Sequence, residues 1–374
     1  MIAWRQGVVV QVDAGWHGAL PLRVRVEGGT EEQELRALAY PGLIGPVEVG
    51  ARVLLNVSAL VRGLGTGGYA LVVARTDTLP PDPPAGPGHL VKARYTPLQT
   101  MVLGVDEQES AHHEVLRDAD DLAGMPVVVA DLHSAVPAVV AGLRHAAHQA
   151  GRAPLRVAYV LTDGGALPAW FSRTVSTLRE TGWLDTCVST GQAFGGDLEA
   201  VSVHSGLLAA RWVAGADVAV VAQGPGNLGT GTRWGFSGVA AGEALNAAAV
   251  LGGRPVASLR VSGADERDRH LGISHHSLTA YGRVALAPAQ VVVPVLTGEL
   301  AALGAQVRAQ AASLGAPTGR HQLVEVATDE PLLDALGQVP VRLSTMGRSL
   351  DQDPGSFLAA AAAGLHAGRL VLGD

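Results

Sequence analysis

A near-continuous apolar run, Ala216-Asp217-Val218-Ala219-Val220-Val221-Ala222, ends in Gln223 and opens directly into Gly224-Pro225-Gly226-Asn227-Leu228-Gly229-Thr230-Gly231-Thr232. A short strand without polar alternation is covered on both faces, which points to a parallel sheet between helices. Gly224, Gly226 and Gly229 have the spacing G-x-G-x-x-G, which allows a tight turn and close approach of a backbone to a pyrophosphate. Two features depart from the dinucleotide pattern. The loop continues through Arg233, Trp234, Gly235 and Phe236 before a helix begins near Gly238, and no acid sits at the tip of a following strand at the usual distance, the next candidate there, Asp265, being too far along. A nicotinamide or flavin cofactor is therefore not expected. The loop reads instead as an anion cradle in which Gly224, Gly226, Asn227, Gly229, Thr230, Gly231, Thr232 and Arg233 present amides, hydroxyls and one guanidinium.

From residue 126 onward, strands and helices alternate. Strands are read at 126–130, 155–161, 186–189, 217–222, 256–261, 291–296 and 323–326. Helices are read at 135–149, 168–180, 198–213, 238–251, 299–313 and 330–336. The expected fold is α/β, a doubly wound, mostly parallel, Rossmann-like sheet. Residues 1–78 differ. Short runs at Gly7–Val12, Leu20–Val26, Arg36–Tyr40, Ala51–Asn56 and Tyr69–Ala74 are separated by turn signals such as Gly28-Gly29 and have no helix between them. They read as a small β-barrel or sandwich of OB or SH3-like size. The proline-rich stretch 79–88 is the expected linker, leaving 89–374 as the α/β domain.

Composition narrows the function classes. A net charge of −7, with Lys92 the only lysine, argues against a nucleic-acid surface. Cys187 is the only cysteine, which excludes an internal disulfide and a cysteine-built metal site. The N-terminus lacks the apolar core of a signal peptide. The alanine-rich tail Ala359–Leu372 is interrupted by Gly364, His366, Gly368 and Arg369, so no membrane span is expected. The expectation is a cytoplasmic protein that works on a small anionic metabolite, with homo-oligomerisation left open.

Polar residues gather where strands end. Asp131-Leu132-His133-Ser134 follows the first of these strands, Thr162-Asp163-Gly164-Gly165 the second, and Gly191 to Glu199 the third. Ligands of open α/β sheets bind outside the carboxyl ends of the strands, so these tips point to one crevice. Ser134 and Asp197 also suit helix N-caps. Asp131, His133, Asp163 and Asp197 are oxygen and imidazole ligands suited to a divalent cation, with Asp131 and His133 facing the same way if the chain stays extended. Asp131, His133, Asp163, His275 and His276 are the candidate catalytic groups, imidazole being the natural base near neutral pH. Asp106-Glu107-Gln108-Glu109 with His112-His113 reads as a solvated loop, and Met101-Val102-Leu103 as too short for a strand. No G-x-S-x-G elbow marks a serine hydrolase.

Several long motifs carry a resemblance. They are Leu64–Tyr69, His89–Gln99, Thr162–Pro168, Gly191–Glu199, Gly224–Gly238 and His275–Gly282. With them the chain resembles, over almost its full length, a family of bacterial proteins known only as a domain of unknown function. The resemblance implies membership, but no activity and no catalytic residues. An enzyme acting on an anionic or phosphorylated metabolite, metal-assisted or not, is the leading expectation. A ligand-sensing or partner-binding protein is the alternative.

Overall fold

The structure, a computed structural model, describes residues 1–28 and 33–373, and the chain divides into two compact units. The Gly28-Gly29 turn extends to Gly29, outside the described residues. The first unit comprises Met1–Val102 together with Trp170–Ser176, and the second comprises Leu103–Ala169 with Thr177–Asp374.

In the first unit, β1 (Trp4–Val12), β2 (Leu20–Val26), β3 (Gln33–Ala39), β4 (Arg52–Asn56) and β5 (Ala70–Arg75) close a barrel in the order β1-β2-β3-β5-β4. Alternate residues of these strands, such as Val9, Leu22, Val24, Val53, Leu55 and Val72, fill its interior. A short helix α1 (Pro41–Ile44) adds Ile44 to that core. Trp170 packs on the barrel, where Trp16 Nε1 donates to its carbonyl at 2.7 Å. A Cβ on Gly42 would stand 3.1 Å from its indole. A hairpin of β6 (Leu90–Lys92) and β7 (Thr100–Val102) completes this unit, so the run at 101–103 does contribute a strand.

The second unit is a sheet of eight parallel strands, β11-β10-β9-β12-β8-β13-β16-β17. These are β8 (Pro126–Val129), β9 (Val157–Thr162), β10 (Thr186–Ser189), β11 (Leu198–Glu199), β12 (Val218–Gln223), β13 (Arg254–Ser258), β16 (Gln290–Val295) and β17 (Gln322–Ala327). The pairs β14 (Val261–Ser262) with β15 (Gly272–Ile273), and β18 (Ser344–Thr345) with β19 (Arg348–Ser349), are two-residue ribbons outside the main sheet. Helices α2 (His113–Leu116), α3 (Val136–Gln149), α4 (Arg173–Glu180), α5 (Val203–Trp212), α6 (Ala240–Val250), α7 (His275–Thr279), α8 (Ala301–Ala311), α9 (Glu330–Gly337) and α10 (Pro354–Leu372) complete the element order. Val127, Val129, Ala219, Val221, Ala257 and Val291 pack with Leu207, Leu245 and Val307 from α5, α6 and α8. The intervening Val128, Tyr159, Val220, Val256 and Val292 are equally buried on the opposite side of the pleat, over which α3 and α10 pack.

Three local readings need correction. The segment 198–213 is not one helix: Leu198–Glu199 is the edge strand β11, and α5 starts only after Ser202, whose hydroxyl accepts from Ser205 N. The 106–113 stretch is not simply solvated, since Glu107 and Ser110 are buried and His113 Nδ1 bonds Asp106 O at 2.8 Å. The alanine-rich tail is uninterrupted: α10 runs 19 residues and is long and apolar enough to span a membrane by length and composition, yet 67% of that stretch is buried inside the protein. Its glycines do not break it. They let it lie directly against α3.

Candidate functional site at the strand tips

The connection leaving β8 runs to β9 on one side of the sheet, while the connection leaving β12 runs to β13 on the other. β8 and β12 are neighbours, so the chain diverges to both sides at their carboxyl ends, the switch point where open sheets bind ligands. Asp131 leaves the end of β8 and is 3% exposed. Its Oδ2 lies 3.8 Å from Arg260 Nη1 and 3.6 Å from His276 Nδ1, and it accepts no hydrogen bond. Arg260 comes just after β13 and donates to His276 Nδ1 at 3.1 Å. Phe236, at the end of the glycine loop, stacks flat on His276 with ring centres 3.8 Å apart. Behind Asp131 lies a cavity of about 20 Å³ lined by Ser134, Ser258, Arg260, Thr345 and Phe357, enough for one water.

His270 and His275 join His276 here. One ligand atom from each of the three lies within 4.8 Å of the other two, the only such His, Cys, Asp or Glu group among the described residues. The rings pack against one another, His275 with His276 at 4.4 Å and His270 with each of the others at 5.0 Å. Ser274 organises them: its hydroxyl bonds His270 Nδ1 at 2.7 Å and accepts from His276 N at 3.2 Å, capping α7. His275 Nε2 is buried without a partner. Burial lowers the pKa of His275 to about 4 and of His270 to about 3, with the neighbouring cationic groups Arg260 and Arg267 adding to the shift. Both rings are neutral at neutral pH, so their free nitrogens offer lone pairs.

The segment that carries His270 is irregular, and ion pairs on two buried carboxylates hold it. Asp265 takes Arg267 Nε at 2.8 Å and Arg348 Nη2 at 3.1 Å. Asp353 takes Arg348 Nε at 3.0 Å and the Ser262 hydroxyl at 2.6 Å. The guanidinium of Arg267, bonded to Asp265, holds that carboxyl well below the usual range.

The glycine loop is a small hairpin closed by the Gly229–Phe236 bridge. Thr230 N donates to Gly235 O at 2.8 Å and Gly235 N to Thr232 Oγ1 at 3.2 Å. Asn227 Oδ1 accepts from Gln223 Nε2, Ser237 Oγ and Gly238 N, which turns it inward to hold the loop. Gly226 and Gly231 adopt φ of 92° and 79°, and neither they nor Gly229 donate to any of these loop bonds. Arg233 is exposed at the hairpin tip, whereas the Arg269 guanidinium reaches Gly231, where a Cβ would stand 3.7 Å from Nη2. Gly164, Gly165 and Gly224 are small because two tips meet. A Cβ on Gly164 would lie 2.5 Å from Gln223 Oε1, and one on Gly224 the same distance from Ala166 O.

The residues expected as one metal set do not converge. The chain bends into a 3-10 turn at His133, whose Nδ1 bonds Tyr159 Oη at 3.0 Å on the β9 side, while Asp131 faces the β13 side. Asp163 is exposed and accepts from Gln192 N at 2.9 Å. Asp197 accepts from Cys187 N at 2.7 Å and pairs with Arg179 at 2.9 Å, so it is a local brace and not the N-cap of α5. Ser134 bonds Thr345 Oγ1 instead of capping α3. Of the residues read from sequence, Asp131, His275, His276 and the glycine loop share one site, and Arg260 and His270 complete it. The spacing His270-x4-His275-His276 was the available signal for His270.

Burial lowers the His133 pKa to about 4. Unfolded histidine takes its proton near 6.5, so above about 6.5 this group adds no penalty. As pH falls from there to about 4, the unfolded state binds a proton that the folded state refuses, and stability drops. Discounted for its half-buried position, the loss is ~1–2 kcal/mol. His133→Gln should shrink the fall in melting temperature across that window. An unchanged pH profile would contradict this assignment.

The fold and site together define a two-unit protein, a five-stranded barrel with a Rossmann-like α/β unit that carries a buried polar cluster at the sheet's switch point. The chain belongs to the DUF3866 family, described as proteins of unknown function, whose model matches residues 36–364. No curated protein matches the chain.

Proposed function

We propose that the α/β unit is an enzyme for a small anionic metabolite, phosphorylated or carboxylated, held at the tips of β8, β12 and β13. The observation that carries this reading is a concentration of unmet polar groups. Among the described residues, six buried side-chain atoms have no hydrogen-bond partner, and Asp131 Oδ2, Gln223 Oε1 and His275 Nε2, all at these strand tips, are three of them. Each such atom costs about 1–3 kcal/mol, a penalty that core positions avoid and functional sites retain. Arg260 and Arg269 supply positive charge, with loop amides beside Arg269. The buried Asp131 carboxylate, with one oxygen free of hydrogen bonds, supplies a base. Metabolites of this kind fit a cytoplasmic setting.

Turnover of a panel of sugar phosphates, nucleotides and carboxylates tests the reading, with Asp131→Asn as the diagnostic variant. An enzyme should lose at least about 100-fold in kcat while ligand affinity changes little. A wild-type chain that binds such a ligand without converting it, and that binds equally well as Asp131→Asn, would make the site a sensor instead.

A further inference from the structure

We infer that His270, His275 and His276 form a binding site for a divalent transition-metal cation, zinc by ligand chemistry, with Asp131 orienting His276 from behind. Three imidazoles and no thiolate form a borderline donor set, which suits zinc and leaves a fourth position open to water or substrate. The ligand atoms lie within 4.8 Å of one another. Zn–N bonds of about 2.0–2.1 Å place tetrahedral ligands roughly 3.4 Å apart, so the rings close by about an ångström or slightly more.

The surroundings match what a metal-ligating histidine needs. His270 Nδ1 is held by Ser274 Oγ at 2.7 Å, which leaves Nε2 as the nitrogen available to a metal. His275 Nε2 is buried and bonded to nothing, a costly arrangement for a group without a role. His276 is the informative member. Arginine only donates, so in this structure its Nδ1 accepts from Arg260 and the neutral ring carries its proton on Nε2. Coordination through Nε2 moves that proton to Nδ1, which then donates to Asp131 Oδ2, now 3.6 Å away and lacking a hydrogen bond. Arg260, displaced from the ring, turns to the same carboxylate from 3.8 Å. Asp131 thus stands where the carboxylate of a carboxylate–histidine–metal relay would stand. The inference shares its crevice with the proposed function but depends on no turnover.

Calorimetric titration of chelator-treated full-length protein with zinc chloride should give one equivalent. His270→Ala or His275→Ala should weaken it by 100-fold or more. Asp131→Asn should weaken it by about 10–100-fold, the usual cost of losing such a partner. His145→Ala, which changes a buried histidine whose Nε2 also lacks a partner but lies in a separate groove on α3, should leave it unchanged. Because the variants can disturb folding, X-ray absorption of zinc bound to the wild type provides the second arm and should show three imidazole ligands at about 2.0–2.1 Å. No stoichiometric zinc, or a bound zinc with fewer than three imidazoles, would overturn the site. Zinc held as described with no turnover of any anionic metabolite would sink the proposed function and leave this inference standing.

Discussion

Replacing Gly142 or Gly364 by alanine is expected to destabilise the α/β unit by about 3 kcal/mol or more, at or above the upper end of the usual overpacking range. In an exposed helix the same change stabilises by up to about 1 kcal/mol, because alanine gives up less backbone freedom. The sign reverses here because two backbones touch. A Cβ on Gly142 would run into Ala361 O and stand 2.7 Å from Leu365 N of α10. A Cβ on Gly364 would run into Val139 O of α3 and stand 3.1 Å from Leu143 N. Neither clash falls on a side chain that can rotate away, so one helix has to lift off the other, and α10 is buried along most of its length. Gly337, in α9, is the control: nothing lies within 4 Å of its Cβ position, so Gly337→Ala should be neutral or mildly stabilising. Denaturant midpoints for the three variants check the contrast. Equal effects at all three positions would mean that the helices have slack.

Arg348→Ala should cost about 3 kcal/mol, the lower end of the range for breaking a buried pair. The guanidinium joins two carboxylates whose side chains are 2% and 1% exposed, Asp265 and Asp353. Without it, Asp353 keeps only Ser262 Oγ and Gly263 N, and its charge is left without a cation. Asp265 still has Arg267, and Arg348 itself is 20% exposed, which keeps the loss from being larger. The effect also has a pH signature. Asp265 is held ionised below the ordinary carboxylate range, so its contribution is complete above about pH 4 and lost as pH falls through its lowered folded value. Arg348→Ala should narrow the gap between the stabilities at neutral and at acid pH. An unchanged melting temperature at neutral pH would show the network to be dispensable.

The larger architecture was legible because it is written in periodicity. Uninterrupted apolar runs such as Val127–Ala130 and Val218–Ala222 gave the parallel strands, and the short runs before residue 78 gave the barrel. The site was only half legible. Asp131, His275 and His276 could be placed because they border regular elements whose ends face one way. Arg260 and His270 lie in the stretch between β13 and α7, where regular structure amounts to two-residue strands and a single turn, held by Arg348 and Asp353 from much later in the chain. Long-range ion pairs have no local pattern to read. Asp163 and Asp197 do not join the cluster because each is turned to a backbone amide from another part of the chain, Gln192 N and Cys187 N, which residue type and position alone do not reveal. The glycines of α10 look like breaks in sequence, and only the neighbouring α3 reveals them as contact points.

Anion binding at the strand tips is tested most directly by a calorimetric titration of the full chain with inorganic pyrophosphate, comparing wild type with Arg269→Ala and Arg144→Ala. Arg269 stands over Gly231 at the strand tips, whereas Arg144 lines an open groove of about 560 Å³ between α3 and α9. Saturable binding that weakens with salt is expected. Arg269→Ala should cost about 1.5–3 kcal/mol, the usual value of a charged hydrogen bond, and Arg144→Ala should change nothing. Binding that survives Arg269→Ala but disappears with Arg144→Ala would place the anion site in the groove and not at the strand tips.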